Sequence, residues 1–459
     1  MSACPVAAEP TVVPTADRAP LPVLGHDVRV PLVTGGEVTY AALDYAASAP
    51  ALQRVWDDVA AYAPYYGSVH RGAGHLSQLS TDLFENSRAE IAAFLGCRAG
   101  DQVVFTRSTT DSLNLLAAVL PPGTRVFVFE SEHHAALLPW ERRADVTVTY
   151  LDAPRCPRQA VEILERALAD REPHGPALVC VTGASNVTGE LWPVRELTAA
   201  AHAHGARIVV DAAQLVPHHP VDLTELGADW IAFSGHKLYA PFGAGVLAGR
   251  PDWLRDAEPY LAGGGASRAV TRGAGGGVDV EWHDTVARHE AGSPNVIGAY
   301  AIASACKALS EAGFDRLVER EEQLVAAVRE GLARVPGVRV LSLFGDGEGE
   351  VPRVGVLSFV VDGWNSSHFA AALSAEYGIG VRDGLFCAHP LVRTLLGGEG
   401  DAPGECGAPE GQSRGVVRVS FGAGTPDEHV ERFVRAVGEL VREGARWSYR
   451  TENGRCVPA

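Results

Sequence analysis

Lysine occurs at two positions in this 459-residue chain, Lys237 and Lys307, so 37 of its 39 basic residues are arginine. The composition is rich in Ala, Gly and Arg, and arginine serves wherever charge alone is needed. A retained lysine then points to chemistry arginine cannot perform, because a neutral amine is a nucleophile and a guanidinium is not. Lys307 sits in a plain helical pattern. Lys237 closes the run Trp230-Ile231-Ala232-Phe233-Ser234-Gly235-His236-Lys237, in which an apolar strand pattern ends in Ser-Gly-His-Lys. An amine there suits a Schiff base with a carbonyl compound, and Ser234 and His236 suit hydrogen bonds to a phosphate. Alone, the tetrapeptide equally fits a phosphate-binding charge.

Other strand-end residues sharpen the reading. Arg207–Asp211 is apolar up to its closing carboxylate and is followed by Ala212-Ala213-Gln214, 26 residues before the lysine. Pyridoxal phosphate requires an acid beside its ring nitrogen, which keeps the ring electron-withdrawing. A strand-end Asp capping a helix explains the same residue equally well. Thr106-Arg107-Ser108-Thr109-Thr110 opens a helical pattern and offers hydroxyls and free N–H groups to an anion. His133, in Glu132-His133-His134, could stack on a planar ring.

These residues must be positioned by elements. Strand patterns at Gln102–Thr106, Arg125–Phe129, Thr147–Leu151, Ala177–Thr182, Arg207–Asp211, Trp230–Ser234 and 245–248 alternate with helical ones such as 81–95 and 194–204. This predicts an α/β fold with a wound, mainly parallel sheet. Ligands of such sheets bind at the carboxyl ends of the strands. We expect a large domain over 50–310 and a smaller α+β domain from 36–49 and 311–450. Residues 1–35 read as a loosely ordered leader with one short strand, and 451–459 as a tail. The smaller domain is predicted as helix 314–335, strand 353–360, helix Ser366–Tyr377, strand 380–382, strand Val416–Ser420 and helix 426–447, opened by a capping box at Thr425. Gly-rich stretches 263–277 and 397–415 read as long mobile loops.

The chain resembles the class V, fold-type I pyridoxal-phosphate enzymes, and among them the group II, SufS-like cysteine desulfurases. The resemblance rests on Leu43-Asp44-Tyr45-Ala46-Ala47-Ser48-Ala49-Pro50, Val69-His70-Arg71-Gly72, the 106–110 segment, Glu132-His133-His134-Ala135, Ser185-Asn186-Val187-Thr188-Gly189, Asp211-Ala212-Ala213-Gln214, Ser234-Gly235-His236-Lys237, Glu290-Ala291-Gly292-Ser293-Pro294-Asn295, Gly378-Ile379-Gly380-Val381-Arg382 and Cys387-Ala388. These run in family order over residues 40–445.

It implies pyridoxal 5'-phosphate on Lys237, with Asp211 at the ring nitrogen and His133 on the ring. Gln214 and Asn186 would face the ring hydroxyl or the substrate. Thr109, Ser234 and His236 would hold the phosphate. Ser293 stands where the family reaches the partner subunit's phosphate, which implies a homodimer with shared active sites. Arg418 would clamp the carboxylate of a small amino-acid substrate. Arg382, His70 and Arg71 complete the substrate-binding set, and Arg382 is also a candidate for the positive field around Cys387. Cys387 would take sulfur from L-cysteine as a persulfide, leaving alanine, and pass it to an acceptor protein or thiol. No metal is implied.

Departures from the family are Leu385 and Phe386, where two histidines commonly precede the cysteine, and Ser108 in place of a glycine. Leu385 and Phe386 relay no protons and make the pocket more apolar. An aminotransferase, epimerase or C–S lyase on the same scaffold is the nearest alternative, and a non-catalytic interaction protein is a more distant one. The net charge of −17 without a basic stripe argues against nucleic acid. No run is long and apolar enough for a membrane span. Without an evident secretory signal, and with eight scattered cysteines and no CxxC pair, the expectation is a cytoplasmic protein with reduced thiols.

Overall fold

The computed structural model describes residues 20–170, 175–345, 351–397 and 415–459. Its centre is a seven-stranded sheet of β1 (Gln102–Thr106), β2 (Arg125–Phe129), β3 (Thr147–Leu151), β4 (Ala177–Thr182), β5 (Arg207–Asp211), β6 (Trp230–Ser234) and β7 (Gly245–Gly249). The order is β1-β7-β6-β5-β4-β2-β3. Only β7 runs antiparallel to its neighbours. Successive side chains along each strand enter different cores. Phe127 and Phe129 pack on one face and Val126 and Val128 on the other, and Ile208 and Val210 are separated from Val209 in the same way. Helices therefore cover both faces, which is why these strands read as continuous apolar runs.

A second sheet, Val338–Val340, Val356–Val361, Val416–Ser420 and Arg382–Gly384 in that spatial order, is antiparallel. Its core is shared with the helices Phe314–Ala333, Ser366–Tyr377 and Asp427–Glu443. Ala41 and Leu43 join this core from the N-terminal side, where Ala41–Ala42 pairs in parallel with Ile379–Gly380 and Asp44 bridges Ser420.

Several expectations are corrected. The helix expected over 81–95 starts at His75. Its first turns bury Ser77 and Ser80 rather than apolar side chains, and their hydroxyls bond Ser68 O and Tyr62. The strand expected at 353–360 starts at Val356, because Arg353 turns toward Glu190. The one expected at 380–382 divides between Ile379–Gly380 and Arg382–Gly384, which pair with different partners. Instead of a capping box, Thr425 Oγ1 accepts the Gly422 N–H and the helix begins at Asp427.

The Gly-rich stretch 263–277 contains half of a hairpin, Ser267–Arg272 paired with Val278–Trp282. Its first strand is almost wholly exposed, Val270 included, and in the second Val278 is exposed and only Val280 and Trp282 are half-buried. The expected tail pairs as the hairpin Tyr449–Glu452 with Arg455–Pro458, and Cys456, expected as a reduced thiol, is disulfide-bonded. The described part of the leader holds one short strand, as expected, Arg29–Pro31, which pairs with Glu37–Thr39 just beyond it. The stretch 397–415 lies outside the described residues except at its ends.

One buried ion pair ties the chain after β4 to the chain before Val356–Val361. Glu190, fully buried, accepts from Leu343 N at 2.8 Å, Phe344 N at 3.1 Å and Arg353 Nη2 at 2.9 Å. It closes a turn whose Gly189 has φ +75° and would place any Cβ against Val356 O. Arg353→Met strands a buried carboxylate, and we expect a loss of about 3–5 kcal/mol in chemical denaturation. The double variant with Glu190→Gln should recover a large part of that loss.

Candidate active site

Strand ends converge as the topology requires. A cavity of about 260 Å³ lies at the carboxyl ends of β1, β2, β4, β5 and β6, and Lys237 lines it just past β6. Burial pushes the Lys237 amine down to about 8, with nearby Asp211 opposing the shift. Asp211 is itself buried at the end of β5, its Oδ1 accepts the Ala213 N–H at 3.0 Å, and burial raises its carboxyl above the ordinary range. A buried acid of this kind is suited to pair with a cationic ring nitrogen.

A stability signature follows from the lysine. The folded amine releases its proton near pH 8 and the unfolded one near 10.5. Over that window the unfolded chain binds more protons, so stability of the cofactor-free protein rises with pH. We expect denaturation at pH 8 and 9.5 to show this rise in wild-type apoprotein and a flatter profile in Lys237→Met.

His133 lines the cavity after β2. Its Nδ1 accepts the Ala135 N–H at 3.0 Å, which leaves the hydrogen on Nε2, and burial, with Lys237 second, holds the ring down to about 3. It is therefore a neutral, flat donor at physiological pH. Behind it, Glu132 is fully buried, accepts the Thr182 N–H through Oε1 at 2.8 Å and has no partner at Oε2. Burial pushes this carboxyl well above its usual range.

The hydroxyl side is built from two elements. Ser234 Oγ lies 2.7 Å from both the N and the Oγ1 of Thr109, at the start of the helix Thr109–Val119. Ser108 caps that helix through the Asp111 N–H and also lines the cavity, so the serine in place of glycine keeps an N-terminal anion site. His236 lines the same side and is fixed by Ser48 Oγ, 2.7 Å from Nδ1. Gln214 is anchored through Nε2 on Ala46 O at 2.8 Å.

The opposite wall carries Arg418, Arg382, Asn186 and Cys387. Arg418 is 4% exposed and donates Nη1 to Asn186 O and Nη2 to Asp44 Oδ1, each at 3.0 Å. Its buried Nε has no partner. A desolvated guanidinium with an unspent donor fits a planar carboxylate.

Cys387 and Phe386 both adopt φ +51°, a costly conformation for non-glycine residues. The loop is held there by Asn186 Nδ2 on Phe386 O at 2.9 Å and by His134 N on Cys387 O at 2.7 Å. Asn186 thus serves the cysteine loop, a use its sequence position does not reveal. Phe386, expected only as apolar lining, places its ring 4.8 Å from the Arg418 guanidinium carbon. Two histidines flank the cysteine loop. His134 and His389 pack with ring centroids 4.5 Å apart, His134 bonded through its backbone to Cys387 and His389 two residues beyond it.

Three expected residues are elsewhere. His70 and Arg71 line a second cavity, with the buried pair Arg88–Glu290, and Ser293 is exposed between two of its lining residues, Gly292 and Pro294. His70 has φ +67° and its Nε2 lies 2.9 Å from Glu85 Oε1. No described group of His, Cys, Asp and Glu forms a metal site, and no described helix is long and apolar enough to cross a membrane.

The family model for aminotransferase class-V matches residues 41–433. The chain is 33% identical over 435 residues to a probable cysteine desulfurase of Vibrio cholerae, covering 93% of this chain and 98% of that one. It is 33% identical over 434 residues to a cysteine desulfurase of Pectobacterium atrosepticum, covering 93% and 97%. The apo structure of the cysteine desulfurase from Thermococcus onnurineus superposes with a TM-score of 0.75 at 31% identity, covering 88% and 95%.

Proposed function

The chain belongs to the aminotransferase class-V family, and from that premise we propose that it is a pyridoxal-phosphate-dependent cysteine desulfurase, converting L-cysteine to L-alanine and leaving the sulfur as a persulfide on Cys387. One observation carries the reading: the amine of Lys237, the thiol of Cys387 and the guanidinium of Arg418 line a single cavity. The residues present fit the cofactor, because Asp211 is a buried acid, Thr109 and Ser234 join hydroxyls to a helix start, and Lys237 has a desolvated amine. Pyridoxal phosphate, when bound, supplies a carbonyl carbon for amines and an electron-withdrawing ring.

Lys237 would hold that group until the substrate amine replaces it. The freed amine then takes the proton from the substrate α-carbon and returns protons at the β-carbon and, last, at the α-carbon, work suited to a base with its pKa near 8. Asp211 keeps a proton on the ring nitrogen, and the neutral His133 covers the ring. Ser234, Thr109 and His236 hold the phosphate, with Gln214 on the ring-hydroxyl side. Arg418 and Arg382 orient the substrate carboxylate.

The Cys387 thiolate attacks the substrate sulfur. An S–S bond forms, the carbon–sulfur bond breaks, and its electron pair passes to the β-carbon, which is protonated to give alanine. Lys237 and Arg418 line the same cavity as that thiol. An acceptor thiol then takes the outer sulfur and returns the free Cys387. We place this chemistry in the cytoplasm, where acceptor thiols stay reduced. We assign His70, Arg71 and Ser293 to the neighbouring subunit's site in a homodimer, since His70 and Arg71 line a cavity apart from Lys237 and Ser293 is exposed at its edge. Incubation with L-cysteine, assaying alanine and sulfane sulfur together, tests the function. Equal yields are expected, and alanine without sulfane sulfur overturns it.

A further inference from the structure

We infer that Asp44 is a specificity-determining residue, which leaves the carboxylate clamp with one net positive charge and so selects amino acids with a single anionic group. The inference rests on the reading of Arg418 as that clamp.

Asp44 Oδ1 accepts Arg418 Nη2 at 3.0 Å, and Asp44 Oδ2 lies 4.0 Å from Arg382 Nη1. The two arginines are register partners on neighbouring strands, Arg382 opposite Arg418, so one carboxylate sits against both. Two cations and one anion leave a local charge of +1. A substrate α-carboxylate brings this to zero.

Geometry keeps Asp44 beside the substrate rather than beneath it. Asp44 does not line the Lys237 cavity, whereas both arginines do. With one N–H of Nη1 on Asn186 O and one of Nη2 on Asp44, three of the five guanidinium N–H groups are left, the unpartnered Nε among them. Asp44 is fixed by the fold, its backbone forming a parallel bridge to Ser420 two residues past Arg418. It therefore stays in place when a substrate arrives, and a second anionic group on the substrate meets a neutralised site. A unit charge several ångströms away in a half-buried site changes anion binding by roughly tenfold.

The test uses holoenzyme and measures Kd for L-alanine and for L-aspartate from the change in cofactor absorbance at fixed ionic strength. Asp44→Asn keeps an oxygen acceptor for Arg418 while removing the charge, and Asp44→Ser removes the charge by a second route. We expect aspartate to gain roughly tenfold relative to alanine in both variants, with the gain shrinking as salt is added. A ratio within about twofold of wild type, whether both ligands bind as before or both weaken alike, overturns the inference. Arg418→Gln separates the premise: unchanged alanine binding there removes the clamp reading itself, and the inference with it.

Discussion

Lys237→Ala is expected to lower alanine formation from L-cysteine by at least about 10²–10⁴-fold, the span associated with a positioned acid–base group. The larger figure is favoured because this amine is assigned both the covalent hold on the cofactor and the proton transfers. Lys237→Arg should be no better, since a guanidinium keeps its proton at working pH. That comparison separates chemistry from charge. Were Lys237 only a phosphate-binding cation, arginine would restore most of the activity. Borohydride treatment of wild-type holoenzyme should fix the cofactor to the peptide containing Lys237 and to no other, and the variant should carry no fixed cofactor.

Cys387→Ser is expected to abolish persulfide formation and to cut alanine formation from L-cysteine by about 10²–10⁴-fold, while cofactor binding stays as in wild type. The serine hydroxyl is not an acceptor of sulfur. The loop should survive, because its anchors are backbone carbonyls: Phe386 O on Asn186 and Cys387 O on the His134 N–H. The variant also divides the candidate reactions. Transamination or epimerisation on the same scaffold needs Lys237 and Arg418 but no thiol, so an enzyme of that kind would keep most of its activity.

Much of the cavity wall was legible because it follows from strand ends. A buried parallel strand reads as a continuous apolar run, and its first polar residue marks the carboxyl end. Asp211 and Ser234 are found this way, and Lys237 follows three residues on. The lysine-poor composition singled out Lys237 independently.

What escaped the sequence is what depends on chain segments meeting from afar. Asp44 reaches Arg418 across 374 residues of sequence through a bridge to the second sheet, and no local pattern signals it. Its signal was membership in the segment 43–50, which carries no role by itself. Phe386 read as apolar lining, and only its packing under Arg418 gives it an electrostatic part. Leu385 and Phe386 read as an apolar stretch before the thiol, and the packing of His134 on His389 next to that loop depends on two segments meeting. The hairpin at 267–282 was missed for a different reason: the glycine-rich run 273–277 between its strands marked the stretch as a loop, although Val278, Val280 and Trp282 alternate with acidic residues.

The central claim is that sulfur passes from substrate to Cys387 in a cavity organised by Lys237. The most direct measurement mixes holoenzyme with one equivalent of L-cysteine, without any acceptor thiol, and follows alanine together with the mass of the peptide containing Cys387. The account predicts about one alanine per active site and the gain of one sulfur atom on that peptide, both lost in Cys387→Ser. Alanine formed while that peptide keeps its original mass, or an unchanged yield in Cys387→Ser, would contradict it.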